Sequence, residues 1–505
     1  MLFLGIFIML LSSCENLLSN GDGEQGHFPS SPQYRTFKAQ NLVHSVYYNV
    51  QSQLLYEGVK CNVWGELSSN VSPNTAKRLA NSYDNTIFPK MMSAFSSGEP
   101  IYEDGKIVAN NPVEYASWLV DGDKKLTILL LDILDGYTPN SGFVGGYFSG
   151  ADLLSSSIIQ YSNEEAMIYL DTNPGQPGSS QSNGFLAHEM QHLMNFAVSV
   201  AKRSNRNPAG QILFSSIKFM DLWIDEGLST AAEWVWSEEQ EQNRVGWYAY
   251  DMAGTIARGN NFFVWDNYKY DNRSIMDEYS TAYIFFQWLR VQSGGTGIYK
   301  EIVNSIYADY RAVTISANKV MGGQGYYEWD TLLKTWLAAN YINAPSGKYG
   351  YKNEALLRNI KAKTLPSGTK TINLYPGEGV YSITDAAFLW PGQGANIKYA
   401  GLTGSTPWLS DESTFPDGAL LTFNVNTNTE GIPESGKTTG VAADISMNAG
   451  SMNAGSINNF PGLSRSAVLN GPYPIGAGDL LRRNGHKKVS VPDLIKIDTE
   501  SEDLE

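Results

Sequence analysis

The 505-residue chain is poor in cysteine, histidine and charge. Its two Cys exclude a disulfide scaffold and a cysteine-based zinc finger. Only five His occur, which makes any histidine cluster informative. Charged residues make up 17% of the chain, and acidic residues outnumber basic ones by 51 to 36. The resulting net charge of −15 argues against a nucleic-acid partner, because phosphate binding requires concentrated Lys and Arg.

Long apolar runs are scarce as well. After residue 13, no segment reaches the ~18 apolar residues that would predict a membrane span. Residues 1–13, MLFLGIFIMLLSS, are too short to span a bilayer and are typical of a signal peptide. Leu11-Ser12-Ser13-Cys14 resembles the lipobox of bacterial lipoproteins, although no Lys or Arg precedes the apolar run. The alternative is a hydrophobic N-terminal helix followed by an incidental cysteine.

The lipobox resemblance implies a location. Cys14 would be lipidated, and residues 14–34, rich in Gly, Ser and Pro, would form a flexible tether. We therefore expect a lipid-anchored protein of the cell envelope, at the outer membrane or cell surface, that meets the membrane through its anchor only. Cys61 would then be the only thiol, and its alternating surroundings predict a buried strand position.

The body of the chain predicts several structural units. Hydrophobic residues at 42% allow a sizeable core, and the length suggests about two to four domains at roughly 100–200 residues each. Residues 35–184 mix strand and helix patterns, including a helix that starts at Ser72-Pro73 and a buried strand over Leu126–Leu131. Residues 185–345 are mostly helical. Residues 365–430 alternate like a small β domain, and 431–505 are a low-complexity linker with an acidic tail.

A turn before the buried strand is a candidate calcium site. Asp121 and Asp123 lie in the turn, and Asp132 follows the strand. Carboxylate oxygens suit Ca²⁺, but the spacing is not that of an EF-hand, and Asp-Gly-Asp also occurs in plain turns.

The strongest chemical signal is the segment His188-Glu189-Met190-Gln191-His192. Positions i and i+4 of a helix share a face, so both imidazoles can reach one cation, with Glu189 beside them to take a proton from water. With five His in the chain, chance would produce this pattern only about 0.002 times. A pair of ordinary satisfied histidines is therefore a poor alternative.

A zinc site of this kind needs a third protein ligand, and a carboxylate is expected after two nitrogens. The apolar segment Trp223–Thr230 contains Asp225 and Glu226, which are costly to bury unless they are paired or bind metal. Helix geometry alone does not choose between them. An exposed acid at a helix start remains the alternative.

The segments HEMQHLMNF and WIDEGLSTAAEW together resemble the hyicolysin-type zinc metallopeptidases, and the resemblance extends from about residue 55 to 340. It implies an α+β fold with a thermolysin-like metallopeptidase core, in which a β-sheet subdomain precedes a mostly helical one. It also implies that Glu226 is the third zinc ligand, with Asp225 in place of the usual Asn.

The same resemblance assigns further roles. Tyr279 is the first choice for hydrogen bonding to the oxyanion, and Tyr283 is the second; a buried core aromatic is the alternative. The strand near Ala166–Asp171 is expected to align an extended peptide by edge pairing. Thermolysin-like enzymes have an Asp one turn after the Glu ligand, but this chain has Thr230 there.

The partner of each metal-binding imidazole is left open by the sequence. Metal-bound His normally donates its other N–H to a carboxylate or a carbonyl. Glu233, Ser229 and a backbone carbonyl are all candidates.

These patterns predict a zinc metalloendopeptidase that acts on protein or peptide substrates, with His188, His192 and Glu226 as ligands and Glu189 as general base. One rival is a non-catalytic surface adhesin in which residues 365–428 make the contacts. The other is a zinc aminopeptidase, which shares this ligand plan but adds a segment that captures the substrate's amino terminus; no such segment was found.

Overall fold

The computed structural model describes residues 25–441 apart from 140–142, 253, 260–262, 264–274, 324, 367–368, 370, 385–393, 404–405, 409–417 and 428–437. The signal-like run, Cys14, most of the tether, the low-complexity linker and the acidic tail lie outside the described residues. The predictions for them remain predictions. In the described part of the chain, no helix is both long and apolar enough to cross a membrane.

The first half of the chain builds a six-stranded sheet with the order β1-β2-β3-β6-β8-β7. Its strands are β1 (Tyr34–Asn41), β2 (Val46–Glu57), β3 (Cys61–Glu66), β6 (Leu126–Leu131), β7 (Gly146–Tyr147) and β8 (Met167–Asp171). β3, β6 and β8 are parallel, whereas β1, β2 and β7 are antiparallel to their neighbours. Every residue of β6 and β8 is buried, as expected for parallel strands covered on both faces.

Two short hairpins accompany this sheet, formed by β4 (Ile101–Glu103) with β5 (Lys106–Ala109) and by β9 (Asn205–Arg206) with β10 (Ile212–Leu213). Cys61 is fully buried on β3, as its alternating pattern predicted. Helix α1 (Pro73–Ser82) begins at Ser72, whose side chain accepts a hydrogen bond from Thr75 N–H, and has a proline in its first turn, as predicted. A π-turn (Tyr83–Ile87) joins it to α2 (Phe88–Phe95), which has Pro89 in its first turn.

The described part of residues 185–345 is mostly helical, as predicted. Its helices pack around a core that includes the fully buried Trp223, Trp288 and Trp336. The remaining helices of the chain are α3 (Pro112–Trp118), α4 (Ser180–Lys202), α5 (Leu222–Ser237), α6 (Gln242–Tyr250), α7 (Ile275–Ser293), α8 (Gly297–Val303), α9 (Tyr310–Val320) and α10 (Trp329–Ile342). Together the sheet and these helices make the fold α+β, which confirms the predicted class.

The C-terminal strands form a four-stranded sheet, β12-β15-β13-β14, and a separate pair, β11 with β16. They are β11 (Thr371–Leu374), β12 (Gly379–Thr384), β13 (Ile397–Thr403), β14 (Thr406–Trp408), β15 (Gly418–Asn424) and β16 (Thr438–Val441). Tyr381 donates a hydrogen bond to the Leu337 carbonyl of α10, and Leu421 and Phe423 join the core of the helical part. The strands therefore pack on α10, while the predicted domain boundary remains a prediction.

The contact between α5 and α7 depends on Gly227. A Cβ at this position would lie 2.3 Å from the Phe286 ring, so only glycine allows the two helices to approach this closely. Gly227 directly follows Glu226, and the contact therefore fixes how α5 presents that carboxylate.

We expect Gly227→Ala to destabilise the fold by about 1–3 kcal/mol, because the added methyl group overpacks a filled contact. Gly184→Ala is the matched control, since its Cβ would meet nothing closer than 4.0 Å. That control should be neutral or stabilising by about 0.5–1 kcal/mol through helix propensity. Urea unfolding measures both variants, and equal stabilities would contradict the role of Gly227.

Candidate metal centre

Two helices supply the predicted ligands. The Ser179 side chain caps α4 by accepting a hydrogen bond from Ser182 N–H, and α4 then carries His188, Glu189 and His192 on its buried side. α5 packs against α4 and presents Glu226 to them. His188, Glu189 and Glu226 are each 6% exposed, so the group is deeply placed.

Three ligand atoms converge at the centre. His188 Nε2 and His192 Nε2 are 3.2 Å apart, and Glu226 Oε2 lies 3.6 Å from the first and 3.5 Å from the second. Tetrahedral zinc with bonds of ~2.0–2.1 Å places its ligand atoms roughly 3.3–3.4 Å apart. The spacing of the three atoms therefore fits a single metal ion.

The surroundings of the Glu226 carboxylate also support a metal ion at this position. Its Oε2 atom is buried, and within the described residues no donor makes a hydrogen bond to it. A buried carboxylate oxygen without a donor is costly, and a metal ion would supply the missing partner.

Each imidazole uses its other nitrogen to contact a carboxylate. His188 Nδ1 lies 2.8 Å from Glu233 Oε1, and His192 Nδ1 lies 2.9 Å from Asp225 Oδ2. These contacts leave both Nε2 atoms for the metal and fix the ring orientations. Asp225, one of the two candidates for third ligand, therefore contacts the Nδ1 side of His192, whereas Glu226 faces both Nε2 atoms, as the predicted third ligand would.

The carboxylates of Glu233 and Asp225 accept further hydrogen bonds that fix their positions. Arg244 Nη2 donates to Glu233 Oε1 at 2.7 Å, and Asn195 Nδ2 donates to Asp225 Oδ1 at 2.6 Å. Ser229 Oγ lies 3.1 Å from His192 Nδ1, so it shares that side of the ring. The Thr230 hydroxyl donates to the Gly227 carbonyl within α5 and takes no part in the centre.

The electrostatics also favour a cation. Burial would lower the pKa of His188, but its contacts with Glu226 and Glu233 raise that pKa to about 9. Burial would raise the pKa of Glu226, yet the two imidazoles hold it well below its usual range. The carboxylates around the two imidazoles therefore favour positive charge at this point, which a metal dication would supply.

Glu189 lies between the centre and the sheet edge. Burial raises the pKa of its carboxyl group, although the Phe148 N–H donates a hydrogen bond to it. Phe148 directly follows β7, which within the described residues has a partner strand on one side only. The predicted edge pairing by Ala166–Asp171 is wrong, because β8 lies between β6 and β7 in the sheet interior.

Two clefts flank the centre. The aromatic cleft, about 250 Å³, is lined by Tyr147, Phe148, Glu189, His192, Asn195, Phe196, Ser199, Phe219, Met220, Asp225 and Glu226. The Glu241 cleft, about 270 Å³, is lined by Ser180, Gln181, Gly184, Phe185, Glu233, Trp236, Ser237, Glu241, Asn243, Arg244 and Met276. The first lies on the His192 side and the second on the side of Glu233, which contacts His188.

The two candidate tyrosines lie in different surroundings. The Tyr283 hydroxyl donates to Gln240 Oε1 and accepts from Glu241 N–H, which commits it to the connection between α5 and α6. The Tyr279 ring faces the Arg244 guanidinium at 5.0 Å. Tyr279 is therefore on the His188 side of the centre, and its role at the oxyanion remains a prediction.

The candidate calcium group has a different membership from the predicted one. Asp121 and Asp123 lie with Glu165, their carboxylate oxygens within 4.8 Å of one another. Asp132 follows the other end of β6 and contacts Asn173. The Ser117 hydroxyl and the Asp123 N–H donate to Asp121, as in a plain turn, so calcium binding here remains a prediction.

Sequence reasoning missed three residues of this region. Arg244 and Glu241 follow α5 in a polar stretch with no spacing that links them to the metal motif. Asn195 could have been predicted from the sequence, because it lies one helical turn after His192 on the same face of the helix.

The buried His188, the partly buried His192 and the buried Glu226 form a group that could hold one metal ion, with Glu189 beside them. The neutral metalloprotease ShpI of Staphylococcus hyicus is 28% identical over 277 residues, which is 53% of this chain and 54% of that protein. The chain thus spans about half the length of this relative. No family model matches the chain. The similarity supports a metallopeptidase family and metal-dependent proteolysis.

We expect Glu233→Gln to weaken zinc binding about 10–100-fold, because His188 loses a charged acceptor for its Nδ1–H. Glu239→Gln is the matched control, since Glu239 is exposed and lies outside both clefts. Competition with a chromophoric chelator measures the affinity. Equal affinities for the two variants would contradict the support role of Glu233.

Metal affinity should fall as the pH is lowered. The pKa of His188 is about 9 in the metal-free protein, so below that pH the metal must displace a proton. Each displaced proton weakens binding about tenfold per pH unit. Chelator competition between pH 6 and 8 tests this, and an affinity independent of pH would contradict the ligand assignment.

Proposed function

We propose that this chain is a zinc-dependent endopeptidase that hydrolyses peptide bonds in proteins or peptides. The observation that carries the proposal is the convergence of His188 Nε2, His192 Nε2 and Glu226 Oε2, with Glu189 beside them in an open cleft. The similarity to a neutral metalloprotease supports it.

The residues of the centre would have two roles: some would bind the metal, and others would take part in the reaction. His188, His192 and Glu226 would hold zinc, which supplies Lewis-acid chemistry by acidifying water and polarising the scissile carbonyl. Glu189 would take the proton from the attacking water and pass it to the leaving amine. Its raised pKa favours the first of these transfers, in which the carboxylate accepts a proton. Tyr279 is the proposed donor to the oxyanion.

An extended substrate would add to the sheet at β7. The outer edge of Gly146–Tyr147 faces no other described strand, and Phe148 links this edge to Glu189. Edge pairing holds a peptide mainly through backbone hydrogen bonds, which suits an enzyme that accepts internal peptide bonds.

The proposed location follows from the start of the chain. Residues 1–13 would be removed as a signal, and Cys14 would carry a lipid that holds the enzyme in the cell envelope, facing away from the cytoplasm.

The direct test is Glu189→Gln, assayed on casein and on end-blocked peptides. We expect the variant to retain one zinc per chain and to lose cleavage by a factor of about 10² or more, since it cannot accept a proton. Glu239→Gln, which changes an exposed glutamate in the same way, should match the wild type.

Full activity of Glu189→Gln would contradict the mechanism. Zinc-free protein with a folded far-UV spectrum would favour the adhesin, and cleavage restricted to peptides with a free amino terminus would favour the aminopeptidase.

A further inference from the structure

The Glu241 cleft combines apolar walls with the half-buried carboxylate of Glu241. Phe185, Trp236 and Met276 form the walls. Glu241 is half-buried, and among the described residues nothing donates a hydrogen bond to its carboxylate. It stands at the start of α6, but its side chain makes no capping hydrogen bond there.

Among the described residues, the charges that line this cleft do not balance. The charged side chains there are Glu233, Arg244 and Glu241, which gives two carboxylates against one guanidinium. Arg244 is committed to Glu233, to which it donates a hydrogen bond at 2.7 Å. Burial raises the pKa of Glu241 to about 7, and the charge of Glu233 adds to the effect. Arg244 also attracts the Glu241 carboxylate, but its hydrogen bond goes to Glu233, so no basic side chain among the described residues forms an ion pair with Glu241.

The path of β7 sets the direction of the substrate. The Gly145 backbone lies against the Phe185 ring of the Glu241 cleft, and the chain then runs past Glu189 to Phe148 in the aromatic cleft. Antiparallel pairing is the commoner mode, so an added peptide would run the opposite way. Substrate residues in the Glu241 cleft would therefore follow the scissile bond.

Building on the proposed endopeptidase function, we propose that the Glu241 cleft binds the Lys or Arg side chain of the substrate residue that follows the scissile bond. The aliphatic stem would lie along the apolar walls while the cation reaches the Glu241 carboxylate. Liquid water takes up ~30 Å³ per molecule, so a cleft of about 270 Å³ has room for a long side chain.

The test uses the full zinc-loaded chain and a library of end-blocked peptides, with cleavage positions read by mass spectrometry. Lys and Arg should be enriched directly after the cleaved bond. In a matched pair of peptides, lysine at that position should give a kcat/KM about tenfold or more above the uncharged isostere norleucine, because a charged hydrogen bond is gained.

Variants of Glu241 test whether its charge, and not the shape of the cleft, sets the substrate preference. Glu241→Gln should lower the lysine-to-norleucine ratio about tenfold, and Glu241→Lys should turn the preference towards glutamate. Glu99→Gln removes an exposed charge outside both clefts and should keep the wild-type ratio. Zinc content and far-UV circular dichroism show whether each variant is folded.

Two results would overturn the inference while leaving the endopeptidase intact: equal cleavage of the lysine and norleucine peptides, or enrichment of basic residues only before the cleaved bond. Failure to cleave any peptide would contradict the proposed function itself. Calorimetry with the zinc-loaded Glu189→Gln variant then tests the cleft separately. Tighter binding of the lysine peptide supports it, and equal binding overturns it.

Discussion

The site depends on the packing of α4 against α5, which holds two imidazoles between carboxylates of the opposite helix. Glu226 meets the Nε2 atoms, while Asp225 and Glu233 contact the Nδ1 atoms. A small rotation of α5 would break all these contacts together. Gly227, which allows α5 to lie close to α7, therefore belongs to the architecture of the centre although it carries no side chain.

Without a bound cation, this arrangement of buried carboxylates is energetically unfavourable. Glu189, Glu226 and Glu233 are each less than 8% exposed, and buried carboxylates are unfavourable unless they are paired. Arg244 offsets one of them, and the imidazoles offset another only while they carry protons. A divalent metal would replace those protons and leave Glu189 as the carboxylate free to exchange a proton. The proposed function would thus explain a charge distribution that stability alone does not favour.

Sequence reasoning succeeded where the determinants are local. The i, i+4 spacing of His188 and His192 is a property of any helix, and it located the centre. The choice between Glu226 and Asp225 came from family resemblance, because only the docking of α5 decides which carboxylate faces the Nε2 atoms. The edge position of β7 was missed because a two-residue strand has no periodicity, and strand order is a property of the whole sheet. Asp132 was misassigned because β6 separates it from Asp121.

The most direct test of the account is the zinc K-edge X-ray absorption spectrum of the purified, zinc-loaded chain. The account predicts a four-coordinate ion with nitrogen and oxygen ligands at ~2.0–2.2 Å, two of which are imidazoles. The outer-shell scattering from the imidazole rings should become weaker in His192→Ala. A sulfur ligand at ~2.3 Å, or a spectrum unchanged by His192→Ala, would contradict it.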